Sequence, residues 1–323
     1  MQFDSEAVLF ERPYPSANAV LLPGAAPVLV DPGFGSDVPA LTAWLGGIGT
    51  PPEHLASVVN THYHSDHVGG NHALQREYGL DIAAHAVEAD AVNRRDPEVC
   101  AATWLRQPVE AYRVHRPIGE GDTVDTGTLV WIVLHTPGHT DGHISLYEPR
   151  SRVLVGGDVV HATDVGWLHP YRESTDCLDQ SLDSLDRIAS LRPRLILSGH
   201  GPAITDPELA LARARARLER WVVDPEGMAW HAAKRIFAYA LMIEHGLARD
   251  AIASYLEASP WFRDIAAAPF SMTPDAWVSP LLDEMIRSGA AEWRADRLVA
   301  CGHHIPPAPA WARTPTKPAD WSA

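Results

Sequence analysis

The residue types best suited to binding a metal ion are concentrated in one short stretch of the chain. Residues 61–67 read Thr-His-Tyr-His-Ser-Asp-His, which is the pattern His-x-His-x-Asp-His. Neutral imidazoles and a carboxylate are the ligands that a divalent transition metal takes in proteins. An ordinary polar loop gives no reason for this spacing. The stretch therefore predicts a metal site and metal-dependent hydrolysis, with four candidate ligands: His62, His64, Asp66 and His67.

The motif stands between a predicted strand and a predicted helix. Residues 55–60 are short and apolar with two valines, which is typical of a buried strand. Residues 72–78 predict a helix that Gly79 ends, after two glycines that let the chain turn tightly. The motif therefore lies on a strand-to-helix loop, where α/β enzymes commonly place functional residues.

Three more candidate ligands follow apolar segments that predict strands. A hydrolytic centre needs an open position for water, so ligands from several strand ends are expected. Each segment leads into a glycine-flanked loop, and glycine lets the backbone pass close to an ion. The segments are residues 130–134, 152–155 and 195–197, and the ligands that follow them are His139, Asp158 and His200.

Five segments, in chain order, resemble the metallo-β-lactamase superfamily over roughly residues 5–205. They are Val30-Asp31-Pro32-Gly33, the motif at 62–67, Thr136-Pro137-Gly138-His139-Thr140, Gly156-Gly157-Asp158 and Ser198-Gly199-His200-Gly201. The resemblance implies an α/β fold. It would be an αββα sandwich of two mixed sheets, with helices outside and the metals at one edge.

The resemblance also implies a dinuclear centre, with two zinc ions per chain expected and iron or manganese as alternatives. Three histidines would hold one ion, and two histidines with an aspartate would hold the other, while a further aspartate bridges both. The ligands would be His62, His64 and His139, then Asp66, His67 and His200, then the bridging Asp158. Asp31 matches a position at which the family orients a ligand.

This ligand set predicts hydrolysis by a metal-bridging hydroxide, because divalent metals lower the pKa of bound water to about 7. Asp66 is the predicted catalytic residue, which orients the nucleophile and passes its proton to the leaving group. The leading substrate class is a small thioester or lactone. The alternatives are an endoribonuclease or phosphodiesterase, a mononuclear iron dioxygenase of persulfides, and a metal-bearing protein without activity.

Composition narrows the partners. Of 323 residues, 26 are Lys or Arg and 41 are Asp or Glu, which gives a formal net charge of −15. Such a charge argues against general affinity for nucleic acid or anionic membranes. The three cysteines lack CxxC spacing, so neither a disulfide framework nor a thiolate metal site is indicated. Without a signal-like N-terminus or a long apolar run, a cytoplasmic protein is expected.

The remainder of the chain predicts a second unit after a catalytic domain at residues 1–205. Residues 206–227 predict a connecting helix, opened by Asp206-Pro207-Glu208, and a turn at 224–227. Residues 228–302 predict three helices and a two-stranded hairpin, which resembles a winged helix. The second helix should stop before Ser259-Pro260, and the third should open at Ser279-Pro280.

The third helix carries more acidic than basic residues, which is a poor match to phosphate. We therefore expect the helical domain to be a wall over the site, with a homodimer contact as a second role. Residues 303–323 predict a proline-rich, extended tail, of which His303 and His304 are part.

Two loops are candidates for substrate contacts. Residues 90–116 predict an irregular insertion that covers the mouth of the site, and residues 164–171 predict a substrate wall. Within and beside the latter, the candidate residues are His161, Trp167 and Tyr171. His161 stands where lactonases of the superfamily often carry a tyrosine, and this departure weakens the lactone prediction. A hydrogen bond from His161 to the substrate is the corresponding expectation.

Overall fold

The first sheet of the protein has seven strands, in the order β1 to β7. The computed structural model describes residues 2–3 and 6–308, with side chains from residue 6 onwards. Strands β1 to β4 pair antiparallel, and β4 to β7 pair parallel. The strands are β1 (Gln2–Phe3), β2 (Ala7–Phe10), β3 (Ala19–Leu22), β4 (Val28–Val30), β5 (Ser57–Val59), β6 (Asp81–His85) and β7 (Arg116–Ile118).

The second sheet has five strands, in the order β12-β11-β10-β9-β8. Only β11 and β12 pair parallel, and the other neighbours pair antiparallel. The strands are β8 (Thr123–Asp125), β9 (Val130–His135), β10 (Ile144–Glu148), β11 (Val153–Gly157) and β12 (Leu195–Ser198). The three strands predicted ahead of His139, Asp158 and His200 are therefore confirmed.

The two sheets pack face to face, because successive side chains of a strand point to opposite sides. In β4, Val28 and Val30 enter the core between the sheets, while Leu29 packs against helices outside. Ile196 of β12 likewise faces the helices on the other side of the sandwich. The helices of these layers and connections are α1 (Val38–Gly47), α2 (Ser65–Val68), α3 (Asn71–Tyr78), α4 (Ala86–Asn93), α5 (Ala102–Leu105), α6 (Cys177–Leu191) and α7 (Pro207–Val223). The predicted αββα sandwich is confirmed.

The ligand-bearing loops leave the sandwich at the same edge. Strands β4 and β5 run parallel in the first sheet, and their C-terminal ends lead to Asp31 and to the motif at 62–67. In the second sheet, β11 and β12 run parallel, and β9 has the same direction because β10 is antiparallel to both β9 and β11. Within each sheet, the shared direction of these strands thus brings loops that are distant in the sequence to the same edge.

The prediction of a turn at residues 224–227 is wrong, because a helix starts there. Helix α7 begins as predicted, with the Asp206 carboxylate accepting the Leu209 N–H at 3.1 Å. A second helix, α8 (Pro225–Ile243), follows α7 with only Asp224 between them, and Asp224 caps it by accepting the Gly227 N–H at 2.9 Å. The Asp-Pro-Glu sequence there is a helix start, the same signal that opens α7.

The C-terminal region has more elements than predicted. Four helices and a three-stranded antiparallel sheet replace the expected three helices and two strands. Besides α8, they are α9 (Ile252–Glu257), α10 (Pro260–Ala267), α11 (Pro274–Arg287), β13 (Leu247–Ala248), β14 (Ala291–Arg294) and β15 (Arg297–Ala300), with β15 in the centre of the sheet. Pro260 does not merely stop α9; it occupies the first turn of α10, where proline loses no hydrogen bond.

The third predicted helix starts earlier than Ser279-Pro280. Pro274 opens α11, and Pro280 lies inside it. An interior proline removes one helical hydrogen bond. Trp277, Leu281 and Met285 form a fully buried stripe at four-residue spacing, and this packing holds the helix through the proline.

The insertion and the tail both contact the helical region. Residues 90–116 are not wholly irregular, since α5 lies within them, and Trp104 and Leu105 join the core of the C-terminal helices. The Pro307 carbonyl accepts from His245 Nε2, just after α8, at 2.8 Å, and the Ile305 N–H donates to the Tyr14 carbonyl at 2.8 Å, so the tail is attached to residue 307. The tail prediction for residues 309–323 lies outside the described residues. Among the residues that are described, no helix is long and apolar enough to cross a membrane.

Candidate metal centre

Three histidines from two loops direct ring nitrogens at one another. His62 Nε2 lies 3.1 Å from His64 Nδ1, which lies 3.0 Å from His139 Nε2. Tetrahedral zinc with Zn–N bonds near 2.0–2.1 Å separates its nitrogen ligands by about 3.3 Å. Three imidazoles converging on one point at this spacing therefore fit a single cation, and they are the three ligands predicted for the first ion.

A second group lies beside the first. The ligand atoms of Asp66, His67 and His200 all lie within 4.8 Å of one another. His200 Nε2 is 3.0 Å from Asp66 Oδ2, and His67 Nε2 is 3.9 Å from the same oxygen. All three residues are at least nine-tenths buried. This donor set, two imidazoles and a carboxylate, also suits a divalent transition metal.

Asp158 lies between the two groups. Its Oδ1 is 3.4 Å from His67 Nε2, and its Oδ2 is 3.6 Å from His200 Nε2 and 3.8 Å from His139 Nε2. One carboxylate oxygen thus approaches a histidine of each group. The arrangement is the one that a bridging ligand requires.

A ligand atom of the second group and one of Asp158 lack hydrogen-bond partners. They are His67 Nε2 and Asp158 Oδ1, and both are buried. Burial, and then the neighbouring histidines, hold the pKa of His62 and His64 well below the usual value, so both rings are neutral at pH 7. Burial acts to raise the pKa of Asp158, but His200 and His67 outweigh it and keep the carboxylate ionised. Neutral His62 and His64 and an ionised Asp158 are in the protonation states that bind a metal. Burial acts to lower the pKa of His67, but Asp158, Asp31 and Asp66 outweigh it and raise that pKa well above the usual value, so a metal would displace a proton from His67.

Asp31 fixes the orientation of His67. Its Oδ2 accepts from His67 Nδ1 at 2.8 Å and from the Thr61 hydroxyl at 2.7 Å, while Oδ1 accepts the Thr61 N–H at 2.8 Å. Because Nδ1 carries the proton in that bond, Nε2 keeps its lone pair for a metal. Asp31 holds a left-handed backbone conformation, with φ of 55°, directly after β4.

His143 and two glycines position Asp158. The Asp158 N–H donates to His143 Nε2 at 3.0 Å, and His143 Nδ1 pairs with the Thr136 hydroxyl at 2.9 Å. A side chain at Gly157 would overlap His143, and one at Gly199 would overlap the Asp158 carboxylate. The glycines beside the predicted ligands are therefore needed for space around this carboxylate.

The predicted substrate loop supports the centre as well as lining it. The Trp167 carbonyl accepts from His139 Nδ1 at 2.7 Å. The indole ring of Trp167 stacks on His64, with centroids 5.0 Å apart. Tyr171 does not reach the site; its side chain is 56% exposed and contacts His169. The prediction that Tyr171 contacts substrate therefore has no geometric support.

His161 lines the cleft, but not as the predicted donor. Its Nδ1 lies 2.8 Å from the Ser198 hydroxyl, which itself donates to the Val160 carbonyl at 2.7 Å. Since that hydroxyl has one hydrogen, His161 Nδ1 must donate to it. Burial lowers the pKa of His161 to about 3, so the ring is neutral and its Nε2 can only accept.

A cleft of about 1050 Å³ opens onto both groups. Residues of the sandwich form its floor, including His64, Asp66, His139, Asp158 and His200. The insertion contributes Leu105 and Gln107, so it does reach the mouth of the site. Helix α8 contributes a full wall from the C-terminal region, with Arg235, Ile236, Tyr239 and Met242 among the lining residues.

Three residues that line the cleft were not predicted from the sequence. Tyr14 stacks on His200 with ring centroids 4.5 Å apart, and the Tyr239 hydroxyl donates to the Pro15 carbonyl at 2.8 Å. Arg217 of α7 also lines the cleft, although its helix was expected only to connect two domains. No local pattern marks these residues, because their roles depend on which helix packs over the sandwich.

Comparison with known proteins identifies the family. The model of the metallo-beta-lactamase superfamily matches residues 13–200, which is more than half of the chain. The chain belongs to the metallo-beta-lactamase superfamily. This assignment confirms the family expected from the five sequence segments.

One curated relative is named as a hydroxyacylglutathione hydrolase and another as an acyl-coenzyme A thioesterase. The chain is 30% identical over 175 residues to hydroxyacylglutathione hydrolase from Cereibacter sphaeroides, covering 54% of this chain and 59% of the relative. It is 30% identical over 169 residues to the acyl-coenzyme A thioesterase MBLAC2 from Gallus gallus, covering 47% of this chain and 58% of the relative. The chain thus spans about three-fifths of the length of these relatives.

Solved structures share the fold. The metallo-beta-lactamase family protein TTHA1429 from Thermus thermophilus aligns with a TM-score of 0.57 at 22% identity, covering 91% of this chain and 98% of that one. TTHA1623, solved in a di-iron-bound form, aligns with a TM-score of 0.51 at 28% identity, covering 64% of this chain and 96% of that one. The first alignment extends beyond the sandwich into the helical C-terminal region.

Proposed function

We propose that this protein is a dinuclear, metal-dependent hydrolase of small acyl thioesters. The observation that carries the proposal is the pair of adjacent His/Asp groups joined by Asp158 at the floor of one open cleft. The two relatives named as a hydroxyacylglutathione hydrolase and an acyl-coenzyme A thioesterase support the substrate class. Lactones remain the second ester-type substrate to test.

Seven residues would hold two divalent ions, for which zinc is our proposal. They are His62, His64 and His139 for one ion, Asp66, His67 and His200 for the other, and Asp158 for both. When bound, such a pair supplies an activated water and draws electron density from the scissile carbonyl. Asp31 and His143 would hold His67 and Asp158 in place through the hydrogen bonds described above.

Asp66 is the proposed proton acceptor. Its carboxylate lines the cleft and stays slightly exposed, at 8% of the residue surface. In thioester hydrolysis a water oxygen bonds to the carbonyl carbon, the carbon–sulfur bond breaks, and the thiol leaves. Asp66 would take the proton of the attacking water and return it to the departing sulfur. The Trp167 ring, stacked on His64, and the Tyr14 ring, stacked on His200, would exclude bulk water from this step.

A mononuclear iron dioxygenase is a weaker fit. A single ion at the three-histidine group would leave the converging side chains of Asp66, His67 and His200 without a role. The endoribonuclease alternative gains no support from α11, whose Arg287 is held by Glu284 at 2.8 Å. Both alternatives remain arms of the experiment.

The test is a hydrolysis screen on the full chain loaded with zinc, combined with metal analysis. The substrates are acyl-thioesters, lactones, β-lactams and single-stranded RNA. We expect two metal ions per chain and turnover of a thioester in preference to the other classes. One iron per chain, or cleavage of RNA without thioester turnover, would overturn the proposal.

A further inference from the structure

Positive side chains on one wall of the cleft have no role in the proposed hydrolysis. Arg217 on α7, with Lys234 and Arg235 on α8, lines the same cleft as the candidate metal ligands. The chain as a whole has a formal net charge of −15. Cations grouped on one wall of a cleft attract anions to that wall.

Asp164 organises two of these cations. Its Oδ1 lies 3.2 Å from Arg217 Nη1 and 3.0 Å from His231 Nε2, and its Oδ2 pairs with Arg235 Nη2. Burial, with Arg217 and Lys234, lowers the pKa of His231 to about 3, so this ring is a neutral donor. One buried carboxylate therefore faces two guanidinium groups, and a positive charge is left over.

Lys234 differs from the two arginines. Its ammonium pairs with Glu284 at 2.9 Å, and Glu284 also pairs with Arg287. Lys234 therefore belongs to a separate ion-pair group, and the cations that share Asp164 are Arg217 and Arg235.

The two arginines retain capacity for a second anion. The side chain of Arg235 is 49% exposed and that of Arg217 is 31% exposed, whereas the Asp164 side chain is only 10% exposed. Each guanidinium carries five N–H donors in a planar fork, and one shared carboxylate occupies only part of them. The fork matches the paired oxygens of a carboxylate or a phosphate.

This wall lies beside the proposed reacting centre. Tyr14 stacks on His200, and the His161 ring lies 5.7 Å from the same imidazole. The His161 N–H donates to the Asp164 carbonyl at 2.8 Å, and the Gly166 N–H, two residues after Asp164, donates to the Asp158 carbonyl at 2.9 Å. Backbone hydrogen bonds therefore connect the residue that holds both arginines to the candidate metal centre.

Helix α8 divides the wall into a cationic and an apolar part. Tyr239 and Met242 follow Arg235 by four and seven residues and line the same cleft. With a rise of 1.5 Å per residue, they lie roughly 6 to 10 Å further along the helix. An acyl group joined to an anionic thiol carrier presents the same two kinds of chemistry.

We propose that Arg217 and Arg235, held together by Asp164, form an anion patch that selects acyl thioesters whose thiol carrier bears phosphate or carboxylate groups. The inference rests on the proposed thioester hydrolysis and assigns its specificity residues. The patch binds the carrier and does not touch the reacting carbonyl, so it acts on KM more than on kcat.

The test compares three butyryl thioesters that share one acyl group. Their carriers are coenzyme A, with phosphates, glutathione, with carboxylates, and N-acetylcysteamine, which is neutral. We expect kcat/KM of the wild type to favour an anionic carrier. Because a charge-assisted hydrogen bond is strong, each of Arg217→Gln and Arg235→Gln should lower the anionic-to-neutral ratio of kcat/KM about tenfold or more, mainly through KM.

The ratio is measured on one preparation, so a partly misfolded variant does not alter it. Removing both arginines leaves the buried Asp164 carboxylate with the neutral His231 ring as its partner. The double variant, Arg217→Gln with Arg235→Gln, is therefore also measured with Asp164→Asn. The matched control is Arg213→Gln, an exposed arginine of α7 outside the cleft lining. If kcat/KM falls for the coenzyme A thioester, the patch recognises phosphate. If it falls for the glutathione thioester, the patch recognises carboxylate. An unchanged ratio in the double variant, or an equal fall in Arg213→Gln, would overturn the patch.

Direct binding separates the patch from the hydrolysis. S-methyl-coenzyme A and S-methylglutathione cannot be hydrolysed and have no free thiol for a metal, and each is titrated calorimetrically into the zinc-loaded full chain. We expect one of them to bind, at least about tenfold more weakly to the double variant. If the wild type turns over no thioester, the proposed function fails, while this titration still tests the patch. Equal affinity in both proteins, or no binding by the wild type, would contradict it.

Discussion

The strand-end loops of the sandwich and the C-terminal helices bury opposite kinds of side chain. In the loops, His62 and His67 are fully buried, and buried donor atoms there lack hydrogen-bond partners. Among the helices, Trp261, Trp277 and Phe262 are fully buried around one core. A buried polar atom without a partner costs roughly 1–3 kcal/mol, whereas apolar burial contributes about 25 cal/mol per Å².

This difference shows how the protein divides its work. The ligand edge gathers polar donor atoms, and two sheets and their helices surround it. The helical region has its own aromatic core and forms one wall of the cleft. We therefore expect chemistry to belong to the first region, and shape and selectivity to the second.

The largest effect should come from Asp158, the carboxylate between the two His/Asp groups. Asp158→Ala should lower metal content and reduce kcat/KM by more than about 100-fold. That factor is the upper end of the loss for residues that only support a metal ligand. Metal analysis and thioester kinetics measure both. Asp183→Ala, at an exposed position of α6, is the control. Near wild-type turnover by metal-free Asp158→Ala protein would refute the division of roles.

A core substitution in the helical region should damage stability and leave the metals in place. Trp277→Ala removes a fully buried side chain and should lower the free energy of unfolding by about 3–5 kcal/mol. Denaturant unfolding measures the loss, and the metal content of the folded protein should stay near two. Ile286→Ala, on the same helix but 41% exposed, should change stability far less. A parallel loss of metal would show that the two regions act as one unit.

Glu173 is hydrogen-bonded to Tyr63, whose side chain packs against the cores of both regions, and it predicts a pH effect. Its carboxyl accepts the Tyr63 hydroxyl at 2.9 Å, and burial raises its pKa from 4.5 to about 7 against the opposing charge of Arg172. The folded state then binds a proton that the unfolded state has released. Its stabilising contribution is complete below pH 4.5 and is lost as pH rises through 7, by about 3 kcal/mol.

Glu173→Gln cannot ionise, so its unfolding free energy should lack this fall between pH 4.5 and 7. The measurement is the difference between wild-type and variant unfolding free energies across that range. Two parallel curves would mean that Glu173 titrates normally in the folded protein.

The smallest effect should come from the start of α7. Asp206→Ala removes the side chain that accepts the Leu209 N–H and should cost about 1 kcal/mol of stability. Asp206→Asn keeps an acceptor and should cost less. Thermal or denaturant unfolding distinguishes the two variants. If both variants lose equally, the carboxylate acts by charge at the helix terminus rather than as a cap.

The ligand edge could be predicted from the sequence because its signals are local. An imidazole or carboxylate at the end of an apolar strand indicates its role by type and position, as for His139 and His200. The helical region was predicted less well. The start of α11 was misplaced because proline signals a helix start at Pro274 but also occurs inside the helix at Pro280. Only the buried stripe of Trp277, Leu281 and Met285 decides between them.

The seven-residue motif at 61–67 predicts a metal site, and it contributes about half of the proposed centre. Donor types and their spacing are properties of the chain itself, since they depend on residues a few positions apart. The closing of the centre by His139, Asp158 and His200 depends on strand direction in two sheets. The pairing of Arg217 and Arg235 with Asp164 depends on how α7 and α8 pack over the edge. Contacts between residues more than fifty positions apart carry no local signature, so only the tertiary structure decides them.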